Sequence, residues 1–411
     1  MGDYYLIGRK LSHSYSPEIH KRLWGGAYGL LELEPEELPQ FFARRQFKAI
    51  NVTIPYKKCT LPYLDEIGET AKRVGSVNTV VKRPDGTLFG DNTDLYGFNS
   101  MLAGAGISLA GKHILILGSG GASLTALLSA TDAGASAVSV VSRTPQGEGQ
   151  ITYNEAYRRQ STQVIINTTP VGMYPNAGTS PIDLSRFPQL EAAVDMIYNP
   201  LRTAFLLQAE SLAVKTAGGL QMLVCQGEKA AKLFGVTDVR DGAAVCREMR
   251  RDLLNWVLIG MPGSGKTMVG RQLAADSGRP FVDIDDAITE RAGMPCNDYL
   301  RQYGEDVFRD LEAEVTREIC AKTGQVIACG GGTPLRKDNR TALQSNGAVL
   351  WLQRDTDKLA RSGRPLSENA DLASMAAARY PYYALCSDFT AYVDEDWHRL
   401  QCAVLSAFRS Y

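Results

Sequence analysis

Short apolar runs recur along the chain, and amphipathic stretches of helical period separate most of them. The runs typical of strands lie at residues 4–7, 47–55, 74–81, 113–117, 137–141, 163–166, 193–197, 257–259, 280–285, 325–329, 348–352 and 389–393. Apolar strands that alternate with helices are typical of βαβ units and of mainly parallel sheets. We therefore expect an α/β protein.

The composition limits the class of protein. The chain has 411 residues, enough for two or three domains, and its 44% hydrophobic and 22% charged residues are ordinary for globular proteins. The net charge of −1 gives no basic footprint for nucleic acid, and no apolar run approaches the ~18–20 residues of a membrane span. The eight cysteines and four histidines are scattered, which favours reduced thiols in the cytoplasm over a disulfide framework or zinc site. We expect small-molecule substrates, with no nucleic-acid or membrane partner.

A complete phosphate-binding loop follows the apolar run at 257–259. It matches G-x-x-x-x-G-K-[ST], and its residues are Gly260, Gly263, Ser264, Gly265, Lys266 and Thr267. The glycines let backbone N–H groups surround a polyphosphate at a helix N-terminus, which already favours anions. Lys266 would reach the outer phosphates, and the Thr267 hydroxyl would ligate Mg²⁺. The sequence therefore predicts that a separate domain, one that binds a nucleoside triphosphate, begins here.

A glycine-rich turn of another kind lies between the run at 113–117 and a predicted helix at 122–133. Its residues, in the setting of a dinucleotide-binding turn, are Gly118, Gly120, Gly121 and Ala122. The next strand ends in a second candidate set, Ser142, Arg143 and Thr144. Sites that prefer NAD usually carry Asp or Glu here, whereas Arg143 suits a 2′-phosphate. NADP is therefore predicted, and the alternative is an incidental surface arginine.

Polar residues also gather at strand ends within the first hundred residues. Ser14 and Ser16 alternate around Tyr15, so in an extended segment both hydroxyls point the same way and can hold a small carboxylate. The alternative is that they cap a helix or turn. Further candidates at strand ends, where ligands of open α/β sheets bind, are Thr53, Lys57, Asn78 and Asp94. Taken singly, a lysine in such a place is usually just solvated.

Eight motifs occur in one order: HSYSP, NVTIPYK, GSVNTVV, GDNTD, GSGGA, SRT, NTTPVGM and GGLQMLVCQG. In this order they resemble shikimate dehydrogenase across residues 1–250. The resemblance implies that Ser14 and Ser16 hold the shikimate carboxylate and that Lys57 and Asp94 are the catalytic pair. The other residues that it implies near the ring hydroxyls or the nicotinamide are Thr53, Asn78, Gln226, Tyr198 and Gly219.

Two places depart from the family pattern. Gln146 and Gly147 follow Arg143, where the family often adds a second basic residue, so the preference for NADP over NAD is expected to be softer. Gln221 replaces what is commonly a glycine, and the sequence offers no reason for the change.

The remainder of the chain resembles shikimate kinase over its whole length. The motifs are the phosphate loop, D-x-D, FRDLE, a triple glycine, RPL and R-x-x-Y-Y. The strand predicted at 280–285 would place Asp283 and Asp285 on one face. By the resemblance, Asp283 supports the metal together with Thr267, and Asp285 contacts the accepting hydroxyl as a base.

The resemblance also implies where the positive charges of the kinase act. Arg309 and Arg379 would pair the substrate carboxylate, with Gly331 and Gly332 beside them. Arg364 would lie in a lid and reach the transferring phosphate. Only two residues separate Arg361 from Arg364, so this lid is expected to be short.

Together these patterns predict an α/β chain of three domains. A substrate domain at 1–105, completed by helices at 220–254, precedes a Rossmann NADP-binding domain at 106–219 and a P-loop kinase domain with a central parallel sheet at 255–411. The resemblance implies a bifunctional enzyme of chorismate and aromatic amino acid biosynthesis that uses NADP(H), ATP and Mg²⁺. It would reduce 3-dehydroshikimate and then phosphorylate shikimate, as a monomer or homodimer. The alternatives are a quinate or shikimate dehydrogenase working oxidatively with NAD, and a ligand sensor without catalysis.

Overall fold

The computed structural model describes residues 3–11, 14–147, 149–359, 372–393 and 397–410. The chain divides into two compact units. The first comprises Met1–Val171, Pro181–Tyr198 and Gln208–Met249, and the second comprises Gly172–Ser180, Asn199–Leu207 and Arg250–Tyr411. The second unit thus includes two segments that precede the predicted junction at residue 255. The three-domain boundaries given above remain a prediction.

The first sheet of the first unit is mixed. Its strands are β1 (Tyr4–Gly8), β2 (Gly29–Glu32), β3 (Ala49–Val52), β4 (Glu66–Ile67), β5 (Thr79–Lys82) and β6 (Leu88–Asp91), in the order β2-β1-β3-β5-β6-β4. The neighbouring helices are α1 (Ser16–Trp24), α2 (Leu38–Arg44), α3 (Glu69–Val74) and α4 (Asp94–Gly104). β5 runs antiparallel to both of its neighbours, and the other described pairings are parallel. This bears out the expectation of a mainly parallel sheet.

The second sheet is fully parallel among the described residues. Its strands are β7 (His113–Leu117), β8 (Ala137–Val141), β9 (Gln150–Ile151), β10 (Val164–Asn167), β11 (Ala192–Asp195) and β12 (Lys215–Gly218), in the order β12-β11-β10-β7-β8-β9. The helices in this part of the chain are α5 (Gly121–Asp132), α6 (Tyr153–Ala156), α7 (Ala204–Ser211), α8 (Leu220–Leu233) and α9 (Gly242–Leu253). The strand order reverses beside β7, whose carboxyl end is therefore a natural ligand site.

The third sheet forms the centre of the second unit. Its strands are β13 (Asn255–Ile259), β14 (Phe281–Asp283), β15 (Val326–Ala328), β16 (Gly347–Gln353) and β17 (Phe389–Tyr392), in the parallel order β14-β15-β13-β16-β17. Its helices are α10 (Lys266–Ser277), α11 (Ile284–Ala292), α12 (Cys296–Tyr303), α13 (Glu305–Ala321), α14 (Lys337–Ser345), α15 (Leu372–Cys386) and α16 (Trp397–Ser410). Alternate residues of β13 enter two different apolar clusters, because successive strand residues face opposite sides of a sheet. The predicted central parallel sheet is confirmed.

The segment 199–207 belongs to the second unit through buried polar contacts. The Arg202 guanidinium donates to the carbonyl oxygens of Gln344 at 2.9 Å and Gly347 at 2.7 Å. It also forms an ion pair with Asp388 at 2.9 Å, although only 7% of the Arg202 side chain is exposed. A buried charge paired on several sides is held firmly, since any partner left alone would lose its hydration without compensation.

Three predicted strands are clearly shorter in the structure, and the one predicted at 47–55 spans only Ala49–Val52. The strand predicted at 74–81 starts only at Thr79, because α3 continues to Val74 and ends at Gly75, whose φ is +71°. The strand predicted at 280–285 ends at Asp283. None of the described helices is both long enough and apolar enough to cross a membrane.

Candidate active sites

A lysine and an aspartate meet in the first unit. Lys57 follows β3, and Asp94 is the first residue of α4. The Lys57 Nζ donates to Asp94 Oδ2 at 2.6 Å, while the Asn78 amide donates to Asp94 Oδ1 at 2.9 Å. Only 12% of the Asp94 side chain is exposed. Both carboxylate oxygens therefore have a fixed donor, and the pair can exchange and balance a proton.

A close crossing of two helices brings Gln226 to the same place. Its Oε1 accepts from the Asn78 amide at 3.4 Å. A Cβ added to Gly97 of α4 would lie 2.4 Å from the Met222 carbonyl oxygen of α8 and 3.1 Å from Gln226 Cβ. Glycine at 97 is thus what allows α8 to approach closely enough to present Gln226.

A cavity of about 1070 Å³ contains the sequence-predicted substrate residues of this unit. Those that line it are Ser14, Ser16, Thr53, Lys57, Asn78, Asp94, Tyr198, Gly219 and Gln226. The Ser14 and Ser16 hydroxyls lie 3.1 Å apart, and Ser14 Oγ also accepts from the Ser16 N–H, so the pair both faces the cavity and starts α1. Burial raises the pKa of Tyr198, which keeps its phenol protonated.

The predicted dinucleotide turn lies at the carboxyl end of β7. Gly118 has a φ of +101°, which only glycine adopts readily, and Gly120 precedes α5. The space in front of the helix is open, since a Cβ at Gly120 or Gly121 would meet no atom within 4 Å. Open space at a helix N-terminus fits a pyrophosphate. Among the residues after β8, Ser142 Oγ accepts from the Thr144 N–H at 3.2 Å, and Arg143 is exposed.

The phosphate loop of the second unit has the expected form. Gly260, Gly263 and Gly265 all have positive φ, and α10 begins at Lys266. The Lys266 Nζ donates to the carbonyl oxygens of Gly260 and Met261 at 3.0 and 2.9 Å. Ser264 Oγ is buried and has no hydrogen-bond partner among the described residues. An orphaned buried hydroxyl within such a loop fits a bound polyphosphate.

The two aspartates of the D-x-D motif do not share one strand, so the expectation that both point from a single strand face was wrong. Asp283 ends β14 and caps α11, its carboxylate accepting from the Asp285 N–H at 3.0 Å. Asp285 therefore lies in the first turn of α11. The two carboxylates are still neighbours, and Thr267 donates its hydroxyl to Asp283 Oδ2 at 2.8 Å. Hydroxyl and carboxylate oxygens are hard ligands of the kind Mg²⁺ prefers.

The pKa of the Asp285 carboxyl group is higher than usual for an aspartate. The residue as a whole is exposed, but its Oδ1 faces the glycine loop. Loss of hydration, followed by the nearby charge of Asp283, raises the pKa of Asp285 to about 6, while Lys266 acts in the opposite direction. A carboxylate with this pKa is a suitable general base near neutral pH.

Three glycines after β15 let the remaining kinase residues converge. A Cβ added to Gly330 would lie 2.6 Å from Asp285 Oδ1, and one at Gly332 would lie 2.5 Å from Arg309 Nη1. One at Gly331 would lie 3.0 Å from Arg379 Nη1. The absence of side chains on this loop therefore leaves room along it for Asp285 and for both arginines. Arg364 lies outside the described residues, as does the lid predicted around it.

Comparisons with known proteins agree with this geometry. Residues 6–80 match the family model described as shikimate dehydrogenase substrate binding domain, and residues 262–403 match the one described as shikimate kinase. A protein of Clostridium beijerinckii described as shikimate dehydrogenase (NADP(+)) is 37% identical in an alignment of 247 residues that covers 56% of this chain and 91% of that protein. The chain belongs to the shikimate dehydrogenase family. It also carries a shikimate kinase domain, as the second family model shows.

Solved structures match the dehydrogenase part. Shikimate dehydrogenase 1 of Peptoclostridium difficile shares 37% identity with a TM-score of 0.55, covering 61% of this chain and 98% of its own. Shikimate 5-dehydrogenase of Thermus thermophilus, solved in complex with NADP(H) and shikimate, shares 33% identity with a TM-score of 0.55, covering 61% of this chain and 99% of its own. The predicted fusion of a shikimate dehydrogenase with a shikimate kinase is thereby confirmed.

Several residues of the shikimate dehydrogenase unit escaped the sequence analysis. His20 and Asn51 also line its cavity. Asn51 lies two residues before Thr53, so the alternation of side chains along a strand was a signal that could have found it. Gln221, which had no explanation, donates to the Ser100 carbonyl at 3.0 Å and covers Gly104, and so ties α8 to α4.

One residue of the shikimate kinase domain was also missed. Glu312 is buried on α13, accepting from Arg309 Nη1 at 3.0 Å and from the Thr333 hydroxyl at 3.0 Å. Its spacing of three residues from Arg309 on a helix was the available signal. This buried carboxylate fixes the direction of the arginine next to Gly332.

Proposed function

We propose that this chain reduces 3-dehydroshikimate to shikimate with NADPH and then phosphorylates the shikimate 3-hydroxyl with ATP. The observation that carries the first step is the pairing of Lys57 and Asp94 at 2.6 Å in a cavity lined by hydroxyl and amide groups. The second step is supported by the phosphate loop and by the convergence of Asp285 and two arginines on the glycine loop.

In the first reaction, the protein has to neutralise the negative charge that forms on the ketone oxygen. NADPH supplies the hydride when it is bound. The oxygen then becomes an alkoxide, and Lys57 Nζ is placed to give it a proton while Asp94 stabilises the ammonium form of the lysine. Ser14 and Ser16 hold the carboxylate, and Thr53, Asn78 and Gln226 pair the ring hydroxyls. An analogue that lacked one of these hydroxyls would leave a polar group unpaired.

The residues of the dinucleotide turn would hold the cofactor of this reaction. Gly118, Gly120, Gly121 and Ala122 present the start of α5 to the pyrophosphate, and Arg143 supplies a guanidinium for the 2′-phosphate. Ser142 and Thr144 flank that arginine, while Gly219 and Tyr198 lie on the cavity side. The similarity to the Clostridium beijerinckii protein, which is described as an NADP(+) enzyme, supports this assignment.

In the second reaction, catalysis depends on positioning and on positive charge. ATP supplies the phosphoryl group when it is bound with Mg²⁺, which Thr267 and Asp283 would ligate. Asp285 accepts the proton of the attacking hydroxyl, as its raised pKa permits. Arg309 and Arg379 pair the substrate carboxylate beside Gly331 and Gly332, and Lys266 and Arg364 neutralise charge on the transferring phosphate.

The test is one reaction with 3-dehydroshikimate, NADPH, MgCl₂ and ATP, followed by nicotinamide absorbance and mass spectrometry. We expect shikimate 3-phosphate in an amount equal to the NADPH oxidised. Lys57→Ala should stop NADPH oxidation while added shikimate is still phosphorylated, and Asp285→Asn should do the reverse. Oxidation of quinate with NAD as the preferred reaction, or ligand binding without turnover in the wild type, would overturn the proposal.

We further propose that the enzyme works in the cytoplasm, where both nucleotides are available, as a monomer or homodimer. Light scattering of the purified full chain would distinguish the two oligomeric states. Recovery of both activities in a membrane or periplasmic fraction of the source cells would contradict the location.

A further inference from the structure

A row of polar side chains, all buried or half-buried, leads from α1 to the catalytic carboxylate of the dehydrogenase unit. Its outer end is Trp24, whose indole N–H donates to His20 Nδ1 at 3.0 Å. The other ring nitrogen, His20 Nε2, lies 3.2 Å from Asn51 Oδ1. His20 is buried, with its ring stacked on Tyr28 at a centroid distance of 4.0 Å.

The row continues across β3 and β5. Asn51 Nδ2 donates to the Thr79 hydroxyl at 3.0 Å, and this hydroxyl donates to Asn78 Oδ1 at 3.0 Å. The Asn78 amide then donates to Asp94 Oδ1 at 2.9 Å. Lys57 is the last member of the row, and its Nζ donates to the other carboxylate oxygen, Asp94 Oδ2. The contacts are continuous from Trp24 to Lys57.

The direction of every bond in this row is determined by groups that have only one role. An indole nitrogen can only donate, so His20 Nδ1 is an acceptor and Nε2 carries the hydrogen that goes to Asn51. The backbone carbonyl oxygen of Asn78 can only accept, and it lies 3.2 Å from Asn51 Nδ2. This contact fixes the orientation of the Asn51 side-chain amide. The Thr93 N–H can only donate, and it lies 2.8 Å from Asn78 Oδ1. Each donor therefore points towards Asp94.

The groups that face His20 keep it in the neutral form that this direction requires. They are the aromatic rings of Trp24, Tyr28 and Phe234, together with the Asn51 amide. Burial among them lowers the pKa of His20 to about 4. Burial also raises the pKa of Tyr28, whose hydroxyl donates to Asn51 Oδ1 at 2.7 Å. Across neutral pH the row therefore has one arrangement of hydrogens.

We propose that His20, Asn51 and Thr79 are positioning residues for the reduction, and that they act by holding the Asn78 amide with its N–H towards Asp94. The inference rests on the proposed reduction and names the residues that its Lys57–Asp94 pair depends on. A chain of aligned hydrogen bonds strengthens each member and restricts its rotation. Without the Thr79 hydroxyl, Asn78 Oδ1 would lose one of its donors, and the carboxylate of Asp94 would be held less firmly.

Thr79 allows a matched test, because its two closest replacements separate shape from hydrogen bonding. Thr79→Val keeps the branched shape and removes the hydroxyl, while Thr79→Ser keeps the hydroxyl and removes the methyl group. We expect Thr79→Val to lower kcat for NADPH-dependent reduction roughly five- to tenfold, the usual effect of about one lost hydrogen bond, with KM changed less than twofold. Thr79→Ser should retain most of the rate. Thr162→Val, which removes a buried hydroxyl that donates to the Arg159 carbonyl, is the control.

Two further readouts separate positioning from a loss of folding. NADPH deuterated at the transferred position should show a larger kinetic isotope effect on kcat in Thr79→Val than in Thr79→Ser, since poorer placement slows the chemical step. The Asn78 side-chain amide hydrogens should exchange with solvent faster in Thr79→Val, a measurement that needs no catalysis. Equal rates and equal exchange in the two variants would overturn the inference. No NADPH oxidation by the wild type would instead contradict the proposed function, and the exchange comparison would still decide the role of Thr79.

Discussion

Gly330 and Asp285 approach so closely that a Cβ on the glycine would lie 2.6 Å from the carboxylate oxygen Oδ1. Non-bonded atoms do not tolerate this distance, so one of them would have to move. Gly330→Ala should therefore displace Asp285 and lower the kinase kcat more than tenfold, a loss comparable to that of a misplaced catalytic group. Reduction by the same preparation is the internal control. Full kinase activity in the alanine variant would mean that Asp285 is not fixed by this loop.

The raised pKa of Asp285 predicts a pH dependence of phosphorylation. Only the ionised carboxylate can accept a proton, and its pKa is about 6. The kinase kcat should therefore rise with pH through about 6 and level off above it. The profile is measured at saturating ATP and shikimate, with the dehydrogenase profile recorded alongside. A rate that stayed constant down to pH 5 would contradict a pKa of about 6 for Asp285 in the loaded enzyme.

Asp285 should also affect the stability of the fold, and here low pH should be favourable, whereas catalysis requires high pH. A carboxyl group whose pKa is higher in the folded state binds its proton more tightly there, so it stabilises the fold in acid and destabilises it once ionised. Asp285→Asn should raise the Tm of the kinase transition more at pH 8 than at pH 5. A gain of equal size at both pH values would show that the charge is not responsible.

Arg143 should determine the choice of coenzyme. Its exposed guanidinium is free to approach a 2′-phosphate, which NAD lacks. Arg143→Ala should lower kcat/KM for NADPH by about 10- to 100-fold, the range for a charge-assisted hydrogen bond, and leave that for NADH nearly unchanged. Arg158→Ala removes another exposed arginine of the same unit and is the control. A similar loss with both coenzymes would contradict the assignment.

Arg202 should contribute strongly to the stability of the second unit. Arg202→Ala would remove the guanidinium from the Asp388 carboxylate and from the carbonyl groups of Gln344 and Gly347, at a cost of about 3–5 kcal/mol. Denaturant unfolding followed by kinase activity would measure the loss. A double-mutant cycle with Asp388→Ala should show coupling of at least about 0.5 kcal/mol. Additive effects of the two substitutions would mean that the pair contributes nothing of its own.

The features that were predicted best from the sequence are those formed by residues close together in the chain. The strand β13, the turn at Gly260 and the start of α10 at Lys266 follow one another without a gap, so spacing alone identified them. The order of motifs likewise paired Lys57 with Asp94, and their side chains are hydrogen-bonded in the structure although 37 positions separate them. The error at Asp285 was also local: alternation in a strand was assumed, but an aspartate that caps a helix ends the strand at Asp283.

What the sequence could not predict depends on contacts between distant parts of the chain. His20 and Asn51 are 31 positions apart, and although Asn51 opens the NVTIPYK motif, nothing in either stretch of sequence shows that the two side chains meet. The structural role of Gln221 depends on a different helix, because its side chain covers Gly104 of α4. The buried role of Arg202 needs Asp388, which is 186 positions away. No pattern within a short window contains such pairs.

The membership of residues 172–180 and 199–207 in the second unit has a consequence for synthesis of the chain. A ribosome makes these segments well before residues 250–411, so Arg202 leaves the tunnel long before Asp388 exists. Until then its guanidinium has to remain in water, because no buried partner is available. The kinase unit therefore cannot be completed in the order in which its sequence is made, because Arg202 has to wait for Asp388.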